Sequence, residues 1–265
     1  MTDFYRRITA EPEGVSLREL WRCRDLILLL TRKKLLLGYK QTVLGPFWIL
    51  LQPVLNSLVY AFVFGGVAGI GTGGVPPMAF YMAGSAVWGF FAANVTGNAL
   101  IFRENANLFG KVWFPRLAVS CANLLASAVT LGVQLLPVLI LAGRWVSPIL
   151  ILPTVQLGLL GMGVGLTISA LTVKYRDLHV LVQFGMQLWM YGTPIVYPLS
   201  EAGELGDILQ SNPVTAPVEL LRLLLFGQGT VTAGMLIWSG LVTLGALILC
   251  IRLFTRAEKT FLDTV

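Results

Sequence analysis

Gln41–Phe102 reads QTVLGPFWILLQPVLNSLVYAFVFGGVAGIGTGGVPPMAFYMAGSAVWGFFAANVTGNALIF, 62 residues without one Asp, Glu, Lys or Arg. A hydrocarbon core of about 30 Å is crossed by roughly 20 apolar residues as helix, so this stretch holds two spans. Gly45-Pro46 punctuates the entry to the first, and the Gly-rich, Pro-containing stretch from Gly65 to Pro77 turns the chain into the second. Further uncharged runs cover 117–143, 145–173, 178–200 and 223–251, each with room for one more. The pattern predicts six helical spans, at about 43–68, 78–102, 117–142, 149–173, 178–197 and 231–251. The expected fold is an all-α integral membrane protein, with a cytoplasmic segment over 1–40 and the six-span domain over 41–265.

Composition agrees with this. Apolar residues make up 56% of the chain and charged ones 12%, against about 25% charged in soluble domains. That is too little charge to cover a water-facing surface. If both ends and every second loop are cytoplasmic, residues 1–40 carry nine Lys/Arg, 103–116 three, 174–177 two and 252–265 three, or 17 of 19 in all. Only Arg144 and Arg222 fall outside. This bias places both termini in the cytoplasm. It also accounts for the net charge of +6 without nucleic acid.

Before the first span, Ser16 and Glu19 have capping-box spacing. The helix they open carries Leu17, Leu20, Trp21, Ile27 and Leu28 on one face and Arg18, Arg22 and Asp25 to one side. Such a helix is expected to lie in the membrane interface. Between the fifth and sixth spans stand Glu201, Glu204 and Asp207, then Asn212-Pro213, then the apolar run Val218–Phe226. That run is too short to span and predicts an outer re-entrant helical hairpin.

Catalytic chemistry is hard to place. The spans lack ionisable residues, which ion-coupled carriers usually keep inside the membrane. His179 reads as an interfacial polar residue, and Asp177, between Arg176 and His179, as an ion-pair partner. No Cys/His cluster suggests a metal, and Cys23, Cys121 and Cys250 read as inert thiols. No GxxxxGK[ST] loop is present, so any ATP and Mg must be bound by a separate chain.

Tyr39-Lys40-Gln41-Thr42-Val43-Leu44-Gly45-Pro46-Phe47-Trp48, followed by Leu51-Gln52-Pro53, resembles the entry to the first span in membrane subunits of polysaccharide ABC exporters. These are the O-antigen (Wzm-like), capsular and teichoic-acid permeases of the ABC type-2 superfamily. Asn107–Arg116 resembles their loop after span two, Tyr175-Arg176-Asp177-Leu178 their turn after span four, and Asn212-Pro213 lies in the outer hairpin before span six. Trp113 departs from the smaller or aliphatic residue expected in that loop. The resemblance implies a multi-pass inner-membrane permease that pairs with a second copy of itself and two ABC ATPase subunits. Together these would export a polyprenyl-pyrophosphate-linked polysaccharide. The permease itself would not be an enzyme and would bind no cofactor.

Three groups of residues carry roles in that picture. Arg103, Leu108, Phe109, Lys111, Val112, Trp113 and Arg116 would form an aromatic anchor with a charged rim that docks into the ATPase; interfacial anchoring is the other reading. Arg32, Lys33, Lys34 and Lys40, with Tyr39, would hold the substrate pyrophosphate, or simply attract anionic membrane lipid. Asn94, Asn98, Gln183, Gln187, Trp88, Phe90, Phe91, Trp189 and Tyr191 would line a sugar-conducting channel, with interhelical bonding and lipid-facing packing as the alternative. Two other functions remain open at this point. One is an ABC exporter of a drug or small lipid. The other is a membrane glycosyltransferase or acyltransferase acting on polyprenyl lipids, which would have only Asp177 and His179 to work with.

Overall fold

The computed structural model describes residues 17–105, 114–143, 147–172 and 178–262, with side chains for all of these except Leu17, Thr172, Leu178, His179 and 254–262. The regular structure of the described residues is all helical, with no strand among them. In chain order the helices are α1 (Leu17–Arg22), α2 (Arg24–Tyr39), α3 (Trp48–Tyr60), α4 (Pro77–Ala99), α5 (Ile101–Glu104) and α6 (Leu117–Ala142). After them come α7 (Ile151–Thr172), α8 (Leu178–Tyr191), α9 (Gly206–Gln210), α10 (Thr215–Phe226) and α11 (Ala233–Leu262).

Among the described residues, five stretches are long and apolar enough to cross a membrane: Gly45–Val67, Pro77–Ala99, Leu117–Ala142, Pro148–Leu171 and Ala233–Leu253. They match the first four expected spans and the last. The first is continuous because α3 widens into a π-helical turn over Ala61–Val67 instead of ending. Gly143 closes α6 in a left-handed conformation (φ 61°), its N–H donating to the Leu139 carbonyl. The expected fifth span differs. α8 has 14 residues, about 21 Å of helix, and it ends at Tyr191 because Gly192-Thr193-Pro194 follows. The Asn212 amide holds that break by donating to the Gly192 carbonyl (2.8 Å) and the Thr193 hydroxyl (2.9 Å).

α4 is the hub. It packs on α7, α6 and α3, while α2 lies on α6 and α11 on α7. Of its most apolar stretch 72% is buried, against 11% for the first candidate span, so α3 keeps a broad apolar flank uncovered. Small residues bring α4 and α7 together: a Cβ on Gly161 would lie 2.9 Å from Asn94 Cβ, and one on Gly165 2.5 Å from the Val95 carbonyl.

Smaller clusters flank the central core. One joins Ile27, Ile101, Phe102, Phe114, Leu166 and Cys250, and so gathers α2, α5 and late α11 at one end. The other joins Leu199, Leu209, Ala216 and Met235. The N-terminal helix is not the single amphipathic rod expected. It breaks at Cys23, Trp21 and Leu28 stay exposed, and Ile27 and Thr31 are the positions that dock on α6.

Candidate functional site

Ile27, Thr31 and Lys34 lie on one face of α2, at spacings of four and three. With the first two seated against the bundle, the next turn carries Lys34 over Asn123 of α6. The Lys34 ammonium donates to Asn123 Oδ1, and Asn123 Nδ2 donates to the Gly97 carbonyl of α4 (3.1 Å). Gly97 makes room for the charge, since a Cβ there would come within 3.1 Å of Lys34 Nζ. Burial of the ammonium pushes the Lys34 pKa down, and the Glu104 carboxylate opposes the shift.

Past Tyr39 the chain reverses through Gln41, which adopts a left-handed φ of 66°, and Gly45 at 51°. The reversal lays α3 beside α2 and α6, where the Gln134 amide donates to the Ile49 carbonyl (3.1 Å). Between α2, α3, α4 and α6 this leaves a cleft of about 370 Å³, within the range of about 300–1,000 Å³ usual for small-molecule sites. Its polar lining is Lys34, Tyr39, Gln52, Asn56, Ser85, Ser127, Thr130 and Gln134, with Phe90 as the aromatic wall. Desolvation raises the pKa of the Tyr39 phenol, and a hydrogen bond with Thr130 partly offsets this.

The residues expected to act together are divided. Lys34 and Tyr39 share the cleft with Phe90, whereas Arg32, Lys33 and Lys40 do not line it. Trp88, Phe91 and Trp189 form an aromatic cluster, with ring centroids 5.5 Å apart for Trp88–Phe91 and 5.2 Å for Phe91–Trp189. The Trp189 indole N–H donates to Asn212 Oδ1 (3.1 Å). Asn94 and Asn98 are buried between helices, where Asn94 Nδ2 donates to Ser127 Oγ (2.8 Å) and Asn98 Nδ2 to the Asn94 carbonyl (2.7 Å). Gln183, Gln187 and Tyr191 lie exposed on α8. Arg103 is exposed, and Arg116 is buried with its guanidinium 5.7 Å from the Phe102 ring centroid. Leu108, Phe109, Lys111, Val112, Trp113 and Asp177, and the His179 side chain, lie outside the described residues.

Sequence reading passed over Asn56, Thr130 and Gln134. Gln52 and Asn56, like Thr130 and Gln134, are polar pairs four apart in apolar runs, and that spacing was the available signal. Among the described residues no group of three or more His, Cys, Asp or Glu could hold a metal.

Residues 25–226, from α2 to the end of α10, match the family model of the ABC-2 type transporters. This chain belongs to the ABC-2 type transporter family. Among its relatives is the O-antigen export system permease protein RfbA of Myxococcus xanthus, 30% identical over 190 residues that cover 69% of this chain and 72% of the relative. The protein of that name from Klebsiella pneumoniae is 29% identical over 207 residues, covering 73% and 77%. The family match includes all four helices of the cleft. This ABC-2 chain is thus a membrane protein whose relatives are permeases of export systems.

Proposed function

We propose that this chain is the transmembrane subunit of an ATP-driven exporter that moves lipid-linked polysaccharide of the O-antigen kind across the bacterial inner membrane. The observation that carries this reading is the similarity to O-antigen export permeases over most of the chain. ATP hydrolysis falls to a separate ABC ATPase, and a second copy of this chain faces the uncovered flank of α3. The 103–116 loop docks on the ATPase, and the exposed Gln183, Gln187 and Tyr191 of α8 face the conduit, together with the aromatic cluster around Phe91.

Both termini are cytoplasmic, and α8 with the turn that follows it makes the fifth of six crossings. A hydrogen bond supports this count. The Gly71 N–H donates to Glu201 Oε2 (3.0 Å), so these two loops share a side of the membrane. Between them stand α4, α6, α7 and α8, and only four crossings return the chain to that side. The segment with α9 and α10 is then the outer hairpin.

Deletion of the gene in its own host tests the function. Surface polysaccharide should vanish while prenyl-linked polymer accumulates on the cytoplasmic side, measured by extraction and by antibody labelling of intact and lysed cells. Unchanged surface polymer would sink the reading in favour of another cargo.

A further inference from the structure

We propose that the cleft between α2, α3, α4 and α6 holds the phosphate and the first sugar of an isoprenoid-linked glycan, with Lys34 on the phosphate and Gln52, Asn56, Thr130 and Gln134 on the sugar. This rests on the export reading and adds to it where and how the substrate's head is held.

The lining selects the ligand chemistry. Lys34 is the one charged residue in the cleft among those described. A pocket for a lipid tail would be apolar, and one for a cationic drug would present a carboxylate. An ammonium among neutral amides and hydroxyls matches an anionic group next to hydroxyls. Amides and hydroxyls each donate and accept, as a sugar does. The ammonium has three donors, and Asn123 takes one.

The shape agrees. Lys34 sits at the level of Asn123 and Gln134 lies eleven residues further along α6, about 16 Å deeper. The charged end is therefore at the end of the bundle gathered by Ile27, Phe102 and Cys250, and the neutral part runs inward along Phe90. Gln52, Asn56 and Gly89 are exposed, so the cleft opens on its flank and a membrane-anchored molecule enters from the side. A phospholipid such as phosphatidylglycerol offers related chemistry, a phosphate beside hydroxyls, and must be told apart.

The test uses the full chain with its ATPase in phosphatidylcholine nanodiscs and three labelled probes. These are a short prenyl diphosphate bearing one hexose, the same diphosphate without sugar, and phosphatidylglycerol. The hexose probe should bind at least about tenfold more tightly than the other two, as expected for a few added hydrogen bonds. Lys34→Gln should weaken both diphosphates about tenfold, the scale of one charged hydrogen bond. Asn56→Leu and Thr130→Val should weaken the hexose probe alone. Gly89→Leu guards against variants that fail to fold, because a Cβ there meets nothing within 4 Å; its side chain should occupy the cleft and block the hexose probe. Equal binding of phosphatidylglycerol would make this a bulk-lipid site and overturn the proposal. Undiminished hexose-probe binding by Gly89→Leu would overturn it too. Polymer export by the wild type, followed in parallel, separates the two readings: normal export with either of those results sinks the cleft alone.

Discussion

Glu219 and Arg222 are 2% and 4% exposed, yet both carry charge. Their contacts explain how. Arg222 Nη1 donates to Glu219 Oε1 (2.6 Å), Nη2 donates to the Ile195 carbonyl (2.8 Å), and the guanidinium stacks 4.1 Å from the Phe80 ring centroid. Glu219 Oε2 accepts from the Thr230 N–H (2.9 Å). The pair thus joins the turn after α8, the start of α4, α10 and the entry to α11. Truncating one partner leaves the other charge dry, so Arg222→Ala or Glu219→Ala should cost about 3–5 kcal/mol. The double change Glu219→Leu/Arg222→Met should cost well under the sum of the two. Denaturant unfolding in detergent measures both, and strict additivity would show that the charges are not coupled. In the sequence Arg222 stands out only as a basic residue off the cytoplasmic side. The carboxylate three residues before it was the missing clue. Lys34 and Tyr39 were visible only as members of a cluster at the entry to the first span that also includes Arg32, Lys33 and Lys40, and nothing in the sequence told them apart. Polar side chains inside a span show a helix face but not the helix they meet, which kept Asn56, Thr130 and Gln134 out of view.

At the scale of elements, hydropathy was enough wherever a helix was long. It placed five of the spans to within a few residues, since burial of backbone polar groups forces an unbroken helix across lipid. It overextended α8, because Gly192–Tyr197 is apolar without being helical. The carbonyls of that stretch are satisfied by Asn212 and Arg222 from other elements, which no local pattern reveals. Packing partners were equally hidden, although the run Gly158, Gly161, Gly163, Gly165 in α7 is the small-residue signature of close helices. That seam is testable. Gly161→Ala and Gly165→Ala put a methyl within 3 Å of Asn94 Cβ or the Val95 carbonyl and should lose about 1–3 kcal/mol by overpacking. Gly240→Ala and Gly245→Ala in α11 meet nothing within 4 Å and should be neutral or gain up to about 1 kcal/mol from helix propensity. Equal effects at the four sites, measured by unfolding in detergent, would mean that the α4–α7 contact is not tight.

For the whole molecule the deciding question is how many times the chain crosses. Hydropathy counts six and helix length alone counts five. The Gly71–Glu201 bond favours an even number between its two loops, and the cluster of Ile27, Phe102, Leu166 and Cys250 brings α2 and late α11 to one end, as an even total requires. Asn105 and Glu204 separate the alternatives, because α6, α7 and α8 lie between them. Three crossings put them on opposite sides of the membrane, and two put them on the same side. Each is replaced by cysteine in a background with Cys23, Cys121 and Cys250 changed to alanine, and spheroplasts are treated with an impermeant maleimide. Glu204→Cys, exposed in the native chain, should label at once. Asn105→Cys, placed on the cytoplasmic side by the proposed orientation, should label only after the membrane is opened. If both label in intact spheroplasts, α8 does not cross and the Gly71–Glu201 contact cannot form in the membrane. If Asn105→Cys alone labels, the six crossings stand but the chain is inverted, and the cleft would open away from the compartment that supplies the lipid-linked glycan.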